Sequence, residues 1–273
     1  MTFDHDAPWG KWKAVGLASW SLRLIDALPP WGLCRKLAFL LRKPVKNGQQ
    51  TIYDREIWGL KLRLSARGNL TEQRWLTMVD FHDKPEREAL AGFLGPHSVF
   101  IDVGANAGFY SFWVLSLNHP GLRVLAVEPT PEMLERMRFN LKTNQLEDRI
   151  RLFPCAVTAE PCEVFIKEHS GNLGQTGVQT SGSGVKVAGL PLLQLLEQAG
   201  VAKVDAMKID IEGLEVTVLE SFFANAPQTL WPRMIIGETV GDGGVALREL
   251  LRAKGYKLKQ STRMNGIFIH EIP

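Results

Sequence analysis

Cysteine is scarce in this 273-residue chain, and the three present, Cys34, Cys155 and Cys162, form no CxxC pair. So odd and sparse a set excludes a disulfide-stapled scaffold and a cysteine zinc site, and it points to a reducing compartment. No uncharged apolar run reaches the ~18 residues that a membrane span needs. No unit recurs at the ~20–50-residue period of a solenoid or propeller. Neither sign of charge dominates: 32 Lys+Arg face 29 Asp+Glu, and with 45% hydrophobic residues that balance excludes a disordered chain. A net charge of +3 also falls short of the strongly basic balance that nucleic-acid binding favours, so no nucleic-acid partner is expected. Asp4 and Asp6 precede any apolar run, unlike a secretory leader, so a cytoplasmic location is expected.

What charge there is gathers at one end. Residues 1–50 hold 8 Lys+Arg against 3 Asp+Glu, together with Trp9, Trp12, Trp20 and Trp31. Leu33, Leu37, Leu40 and Leu41 share one helical face, while Arg35, Lys36, Arg42 and Lys43 gather on another with Phe39 among them. The ordinary expectation is a helix packed on the main body with its charges solvated. The alternative is peripheral contact with an anionic membrane through residues 9–43.

Residues 52–64 alternate as a strand or hairpin, and residues 85–94 read as a short helix ended by Gly95-Pro96. From about residue 98 the texture changes. Apolar strand-like runs at 99–103, 122–127, 150–153, 204–209 and 234–236 alternate with helical patterns at 109–117, 131–141, 191–198, 214–223 and 246–253. Residues 164–166 offer a short additional strand, and the Gly/Ser-rich stretch Ser170–Gly184 reads as a long mobile loop. Strands at 256–258 and 267–269 close the chain as a hairpin through Asn265-Gly266. Such alternation predicts an α/β fold, a mostly parallel sheet with helices on both faces and one antiparallel strand near the end. An N-terminal extension over residues 1–95 precedes a catalytic domain over 96–273. Ligands of open parallel sheets bind beyond the carboxyl ends of the strands, so function is sought there.

The first strand ends in Asp102-Val-Gly104-Ala105-Asn106-Ala-Gly108 and opens into a helix, the setting of a nucleotide-binding loop. A dinucleotide fingerprint starting at Gly104 needs glycine at 106 and 109, where this chain has Asn106 and Phe109. Asp102 would also repel a diphosphate. S-adenosylmethionine meets neither objection, because it carries no phosphate and presents a cationic sulfonium and an ammonium. Glu128 closes the second strand twenty residues after Gly108, where an acid can accept hydrogen bonds from both ribose hydroxyls.

Phe100–Ser111, Val127-Glu128-Pro129-Thr-Pro131, Asn140, Asn144 and Lys208-Ile-Asp210-Ile-Glu212-Gly213 together resemble the FkbM family of S-adenosylmethionine-dependent methyltransferases, over about residues 70–270. The resemblance implies the class I methyltransferase fold, a seven-stranded Rossmann-like sheet with its last strand antiparallel. It also implies O-methylation of a hydroxyl on a sugar, glycan or secondary metabolite. Carried over by position, Asp102, Gly104, Ala105, Asn106, Gly108, Glu128, Pro129 and Asp210 would hold the cofactor. Cys155, Ala156 and Val157 would line the adenine without the acid that many methyltransferases place there.

Lys208 and Asp210 fall on one side of their strand, and Glu212 follows at the mouth of the cleft. Methyl transfer is an in-line displacement, so catalysis is positioning plus removal of the acceptor proton. Asp210 is the first candidate for base or acceptor-orienting group, Glu212 the second, and Glu238 could complete a carboxylate cluster. His82, just ahead of the core, is a further candidate base. The plain readings are helix capping for the acids and a structural role for the histidine. Trp75 and Phe81 are expected in the core rather than on a substrate wall. Nothing in the spacing demands a metal, although metal-assisted O-methylation and N-methylation of a small molecule remain alternatives. The DNA-methylating Asn/Asp-Pro-Pro-aromatic element and the Pro-Cys nucleophile after the fourth strand are both missing. A non-enzymatic module of the same fold is the remaining rival.

Overall fold

The computed structural model describes residues 3–169, 172–179, 184–211 and 213–271, with side chains for all of these except 167–169 and 172–179. Three helices come first: α1 (Gly16–Asp26), α2 (Gly32–Leu41) and α3 (Lys43–Asn47). A hairpin of β1 (Ile52–Ile57) and β2 (Leu60–Ser65) then turns through Trp58-Gly59, both at positive φ (56° and 75°), the turn geometry that matches strand twist. Trp58 tolerates that backbone while its ring lies against Trp75, Phe109 and Trp113. Helices α4 (Leu70–Met78) and α5 (Lys84–Phe93) complete the N-terminal part.

The remainder alternates: β3 (Val99–Val103), α6 (Phe109–Ser116), β4 (Arg123–Val127), α7 (Pro131–Asn144) and β5 (Ile150–Phe153). A second, four-stranded sheet follows from β6 (Ala156–Val157), β7 (Cys162–His169), β8 (Asn172–Gln179) and β9 (Val185–Leu190), ordered β6-β9-β7-β8. Then come α8 (Leu192–Ala199), β10 (Ala206–Ile209), α9 (Glu215–Asn225), β11 (Met234–Glu238), α10 (Gly241–Ala253), β12 (Tyr256–Ser261) and β13 (Asn265–His270). The main sheet runs β12-β13-β11-β10-β3-β4-β5, and β13 lies antiparallel to both its neighbours. β3, flanked by β10 and β4, stands at the switch point where strand order reverses.

Alternation along the strands divides the core. Val99, Ile101 and Val103 face a cluster with Met207, Ile209 and Leu219, whereas Phe100, Ala126, Ala206 and Ile236 face a cluster with Phe109, Phe112 and Trp75. The second cluster also takes in Leu22, Val45, Tyr53, Leu62 and Leu64, so packing is continuous across residue 95. Asn140 and Asn144 seal that junction. Each accepts from and donates to the backbone of β2, Asn140 at Arg63 and Asn144 at Lys61, so α7 treats the hairpin edge as a partner strand.

Three local expectations are corrected. Within Ser170–Gly184, residues 172–179 form strand β8, paired antiparallel with β7, because a backbone ladder needs no side-chain pattern; residues 170–171 and 180–183 lie outside the described residues. Asn265-Gly266 is not the closing turn but the start of β13. Glu86 Oε1 accepts from both Thr262 Oγ1 (2.6 Å) and Asn265 Nδ2 (2.9 Å), which fixes the reversal upstream. Leu33, Leu37 and Leu40 of α2 face solvent rather than the body of the protein.

Candidate active site

The strand ends of β3, β4, β10 and β11 surround a cavity of about 350 Å³, with α4, residues 82–83 and the β12–β13 turn on the remaining side. Its floor is set by backbone contact. Gly104 has φ +79°, and a Cβ there would lie 2.0 Å from the Asp210 carbonyl oxygen, so only glycine lets the loops after β3 and β10 touch. Asn106, also left-handed, accepts from the Ala107 amide (2.7 Å) and from Asn69 Nδ2 (2.6 Å), so its side chain holds the loop shut. Gly108 does not line the cavity. Left-handed as well, it starts α6 where a Cβ would meet Met137 and Phe112.

Asp102, Gly104, Ala105, Asn106, Glu128, Pro129, Cys155, Ala156 and Val157 line one part of the wall. Glu128 is buried, and its two oxygens accept the Asn106 amide (2.7 Å) and the Thr130 amide (2.8 Å), which leaves lone pairs for a ligand. Burial raises its pKa above the ordinary carboxylate value against those bonds. Asp102 Oδ2 accepts from Ser111 N (3.0 Å) and Ser111 Oγ (2.7 Å). Burial pushes its pKa up to about 6, only partly opposed by the serine bonds and by Lys208. Burial also lifts the Cys155 thiol to about 11, so this sulfur lines the wall as a neutral group.

The remaining wall gathers titratable groups from distant parts of the chain. Lys208 and Asp102 are register partners on adjacent strands, and Lys208 Nζ lies 3.1 Å from Asp210 Oδ2. Burial disfavours the ammonium, but Asp210, Asp83 and Asp102 outweigh it and hold its pKa above the usual lysine value. His82 and Asp83 enter from the N-terminal part, with Nδ1 of the imidazole 3.3 Å from Asp83 Oδ1. Asp83, itself at φ +45°, also accepts from Tyr110 Oη at 2.9 Å. Burial pushes the Asp83 carboxyl up, but bonds from His82 and Tyr110 and the charge of Lys208 overcome it and hold it at about 2. The His82 ring lies tilted at 38° against Phe109 with centroids 4.6 Å apart, and Arg87 donates to the carbonyls of His82 and Val79, fixing the segment.

Of the sequence candidates, Asp210, Glu238 and His82 therefore share this cavity, and Glu212 lies outside the described residues. Burial and the nearby Asp210 raise the pKa of Glu238. Asp83 and Tyr110 escaped the sequence reading; an acid beside a histidine was the available signal for the first. Trp75 is core, fully buried among Trp58, Phe109 and Phe112.

A sheet of this order, with a glycine loop and an acid at the ends of β3 and β4, defines a class I S-adenosylmethionine-dependent methyltransferase. The chain belongs to the FkbM methyltransferases: residues 102–258 match the family described as Methyltransferase FkbM domain. It is 28% identical over 218 residues to the 31-O-demethyl-FK506 methyltransferase FkbM of Streptomyces tacrolimicus, covering 66% of this chain and 81% of that protein. Among solved structures it is similar to a precorrin-6y C5,15-methyltransferase from Geobacter metallireducens GS-15 (TM-score 0.44, 15% identity, 68% of this chain and 87% of that one). TYW2 of M. jannaschii in complex with AdoMet gives a TM-score of 0.42 at 14% identity, over 82% and 89% of the two chains. The protein is thus a methyltransferase with S-adenosylmethionine as its cofactor.

Proposed function

We propose that this enzyme methylates a hydroxyl group of a glycan-like or secondary-metabolite acceptor. The observation that carries the reading is the pairing of His82 with Asp83 on the wall of the same cavity as Asp210 and Glu238. An aliphatic hydroxyl becomes a competent nucleophile only as its proton leaves, and a histidine oriented by a carboxylate suits that task near neutral pH. The Streptomyces relative is named as a methyltransferase of a 31-O-demethyl substrate, which supports the same reaction type.

The residues present fit the cofactor. Asp102 offers an acid to its ammonium, Glu128 retains lone pairs for the ribose diol, and Pro129, Cys155, Ala156 and Val157 give a largely apolar wall for the base. When bound, S-adenosylmethionine supplies an electrophilic methyl group on a cationic sulfur. The chain's own part is to orient and deprotonate. Asp83 holds the imidazole at Nδ1, and His82 takes the acceptor proton at Nε2. Asp210, steadied by Lys208, and Glu238 accept hydrogen bonds from neighbouring hydroxyls of the acceptor. Lys208 keeps the crowded carboxylates tolerable to one another.

The test is a panel of hydroxylated acceptors, sugars and macrolactones included, incubated with isotopically labelled S-adenosylmethionine. The expected result is a one-methyl mass gain, with the label located on oxygen. Label found on nitrogen or carbon of the favoured acceptor overturns the reading.

A further inference from the structure

Helix α2 is assembled the wrong way round for a helix that merely covers a core. Its inner side offers Ala38, fully buried, with Cys34 and Leu41 half-buried. Its larger apolar residues point outward, with Leu33 81%, Leu37 44% and Leu40 59% exposed and Trp31 70% exposed at the start. These leucines keep the i, i+4, i+7 spacing of a single stripe. Helix α1, packed against α2, adds Leu17 at 74% and Trp20 at 59%. Soluble monomers rarely leave so many large apolar groups together in water.

The charge around the stripe selects its occupant. Between Asp26 and Asp54 the sequence has no acidic residue, yet it carries Arg35, Lys36, Arg42, Lys43 and Lys46. A second copy docked on this face would bring like charges together. An anionic bilayer answers every feature at once: headgroups pair with the cations, acyl chains take the leucines, and indole rings sit at the boundary between them. We infer that the α1–α2 face docks this protein on the surface of an anionic lipid bilayer. Among the described residues no helix is long and apolar enough to cross a membrane, so the contact is one that lies on the surface.

The face is also joined to the catalytic cavity. Ile25 of α1, Ala38 of α2 and Met78 of α4 form one buried cluster, and Ser21 Oγ donates to the Leu41 carbonyl. Met78 ends α4, whose first residues include Thr71 and Arg74 on the cavity wall. A nine-residue helix spans about 13 Å, so docking would set the height of the cavity above the lipid.

The experiment is sedimentation of the full chain with vesicles of phosphatidylcholine, with and without about one-third phosphatidylglycerol, at low and high salt. Anionic vesicles are expected to carry the protein down, and neutral vesicles or high salt to weaken binding about tenfold or more. Leu37→Glu/Leu40→Glu and, separately, Arg35→Gln/Lys36→Gln should each weaken it about tenfold or more; all four side chains are exposed, so the fold does not depend on them. Protein that stays in the supernatant with both lipids overturns the inference, as does binding that survives the leucine variant. Self-association in analytical ultracentrifugation that the leucine variant abolishes, without lipid binding, would assign the face to a second copy instead. The readout needs no turnover, so it stands or falls apart from the acceptor chemistry.

Discussion

Lys208 and Asp210, two residues apart, meet at 3.1 Å with the ammonium buried and the carboxylate half-exposed. The pair joins the floor of the cavity to its mouth, and Asp210, Asp83 and Asp102 all act on its ammonium. Lys208→Met fits the space but removes that countercharge. Turnover is expected to fall about a hundredfold, since Asp210 loses the cation that steadies it and the acceptor loses its orientation. Steady-state kinetics with the preferred acceptor check this. Unchanged kcat would remove Lys208 from the machinery.

Cofactor affinity should depend on pH through Asp102. Its pKa in the free enzyme is about 6, and a bound ammonium favours the ionised form. Below pH 6 binding must therefore expel a proton, so Kd rises about tenfold per pH unit as the pH falls, whereas above it Kd is flat. Titration calorimetry with S-adenosylhomocysteine, which keeps the ammonium, reads both limbs. In Lys208→Met the break should move upward by about one pH unit or more, because an attractive charge has gone. A Kd independent of pH between 5 and 8 would exclude Asp102 as the ammonium's partner.

Much of this site could be read before any coordinates. Asp102, Gly104 and Glu128 announce themselves because the loop after a parallel strand is short, so its chemistry is contiguous in sequence. The order of helices and strands followed from periodicity for the same local reason. What escaped depends on tertiary neighbours. Tyr110 and Asp83 are 27 residues apart and meet only because α5 and α6 pack together. Strand β8, with Gly174 and Gly177, lacks the alternating side chains that mark a strand and is held by its neighbour's backbone. The leucine stripe of α2 was plain in sequence, but periodicity finds a stripe without saying what covers it.

The His82–Asp83 pair makes a prediction that separates chemistry from folding. His82→Gln should lower kcat about 10²–10⁴-fold with little change in cofactor Kd. Asp83→Asn should lower kcat less, because the amide still holds the ring at Nδ1 but carries no countercharge. Steady-state kinetics on both variants, with the cofactor Kd measured alongside, decide it. If Asp83→Asn leaves kcat unchanged, the carboxylate serves only to hold Tyr110.

Far from the cavity, Arg63 decides whether the N-terminal segment stays on. Its Nε and Nη2 donate to Asp54 at 2.7 and 2.9 Å, Nη1 to the carbonyls of Asp4 (2.7 Å) and Ala7 (2.8 Å), and Nη2 also to Pro8 (2.9 Å). All five guanidinium donors are thus used, in a side chain with no solvent exposure. Asp54 in turn accepts the amides of Gly10 and Trp12. Arg63→Met leaves Asp54 buried without its cation, a loss of about 3–5 kcal/mol, and frees the first dozen residues from the hairpin. Thermal melting and limited proteolysis should then show a lower Tm together with cleavage near Trp9–Lys13. Adding Asp54→Leu should recover part of the Tm, since the stranded carboxylate rather than the missing bonds dominates the cost. A single variant that melts within about 1 kcal/mol of the parent would mean the segment is held by its remaining contacts, among them the Asp54 amide bonded to the Trp12 carbonyl and Trp9 Nε1 bonded to the Leu62 carbonyl.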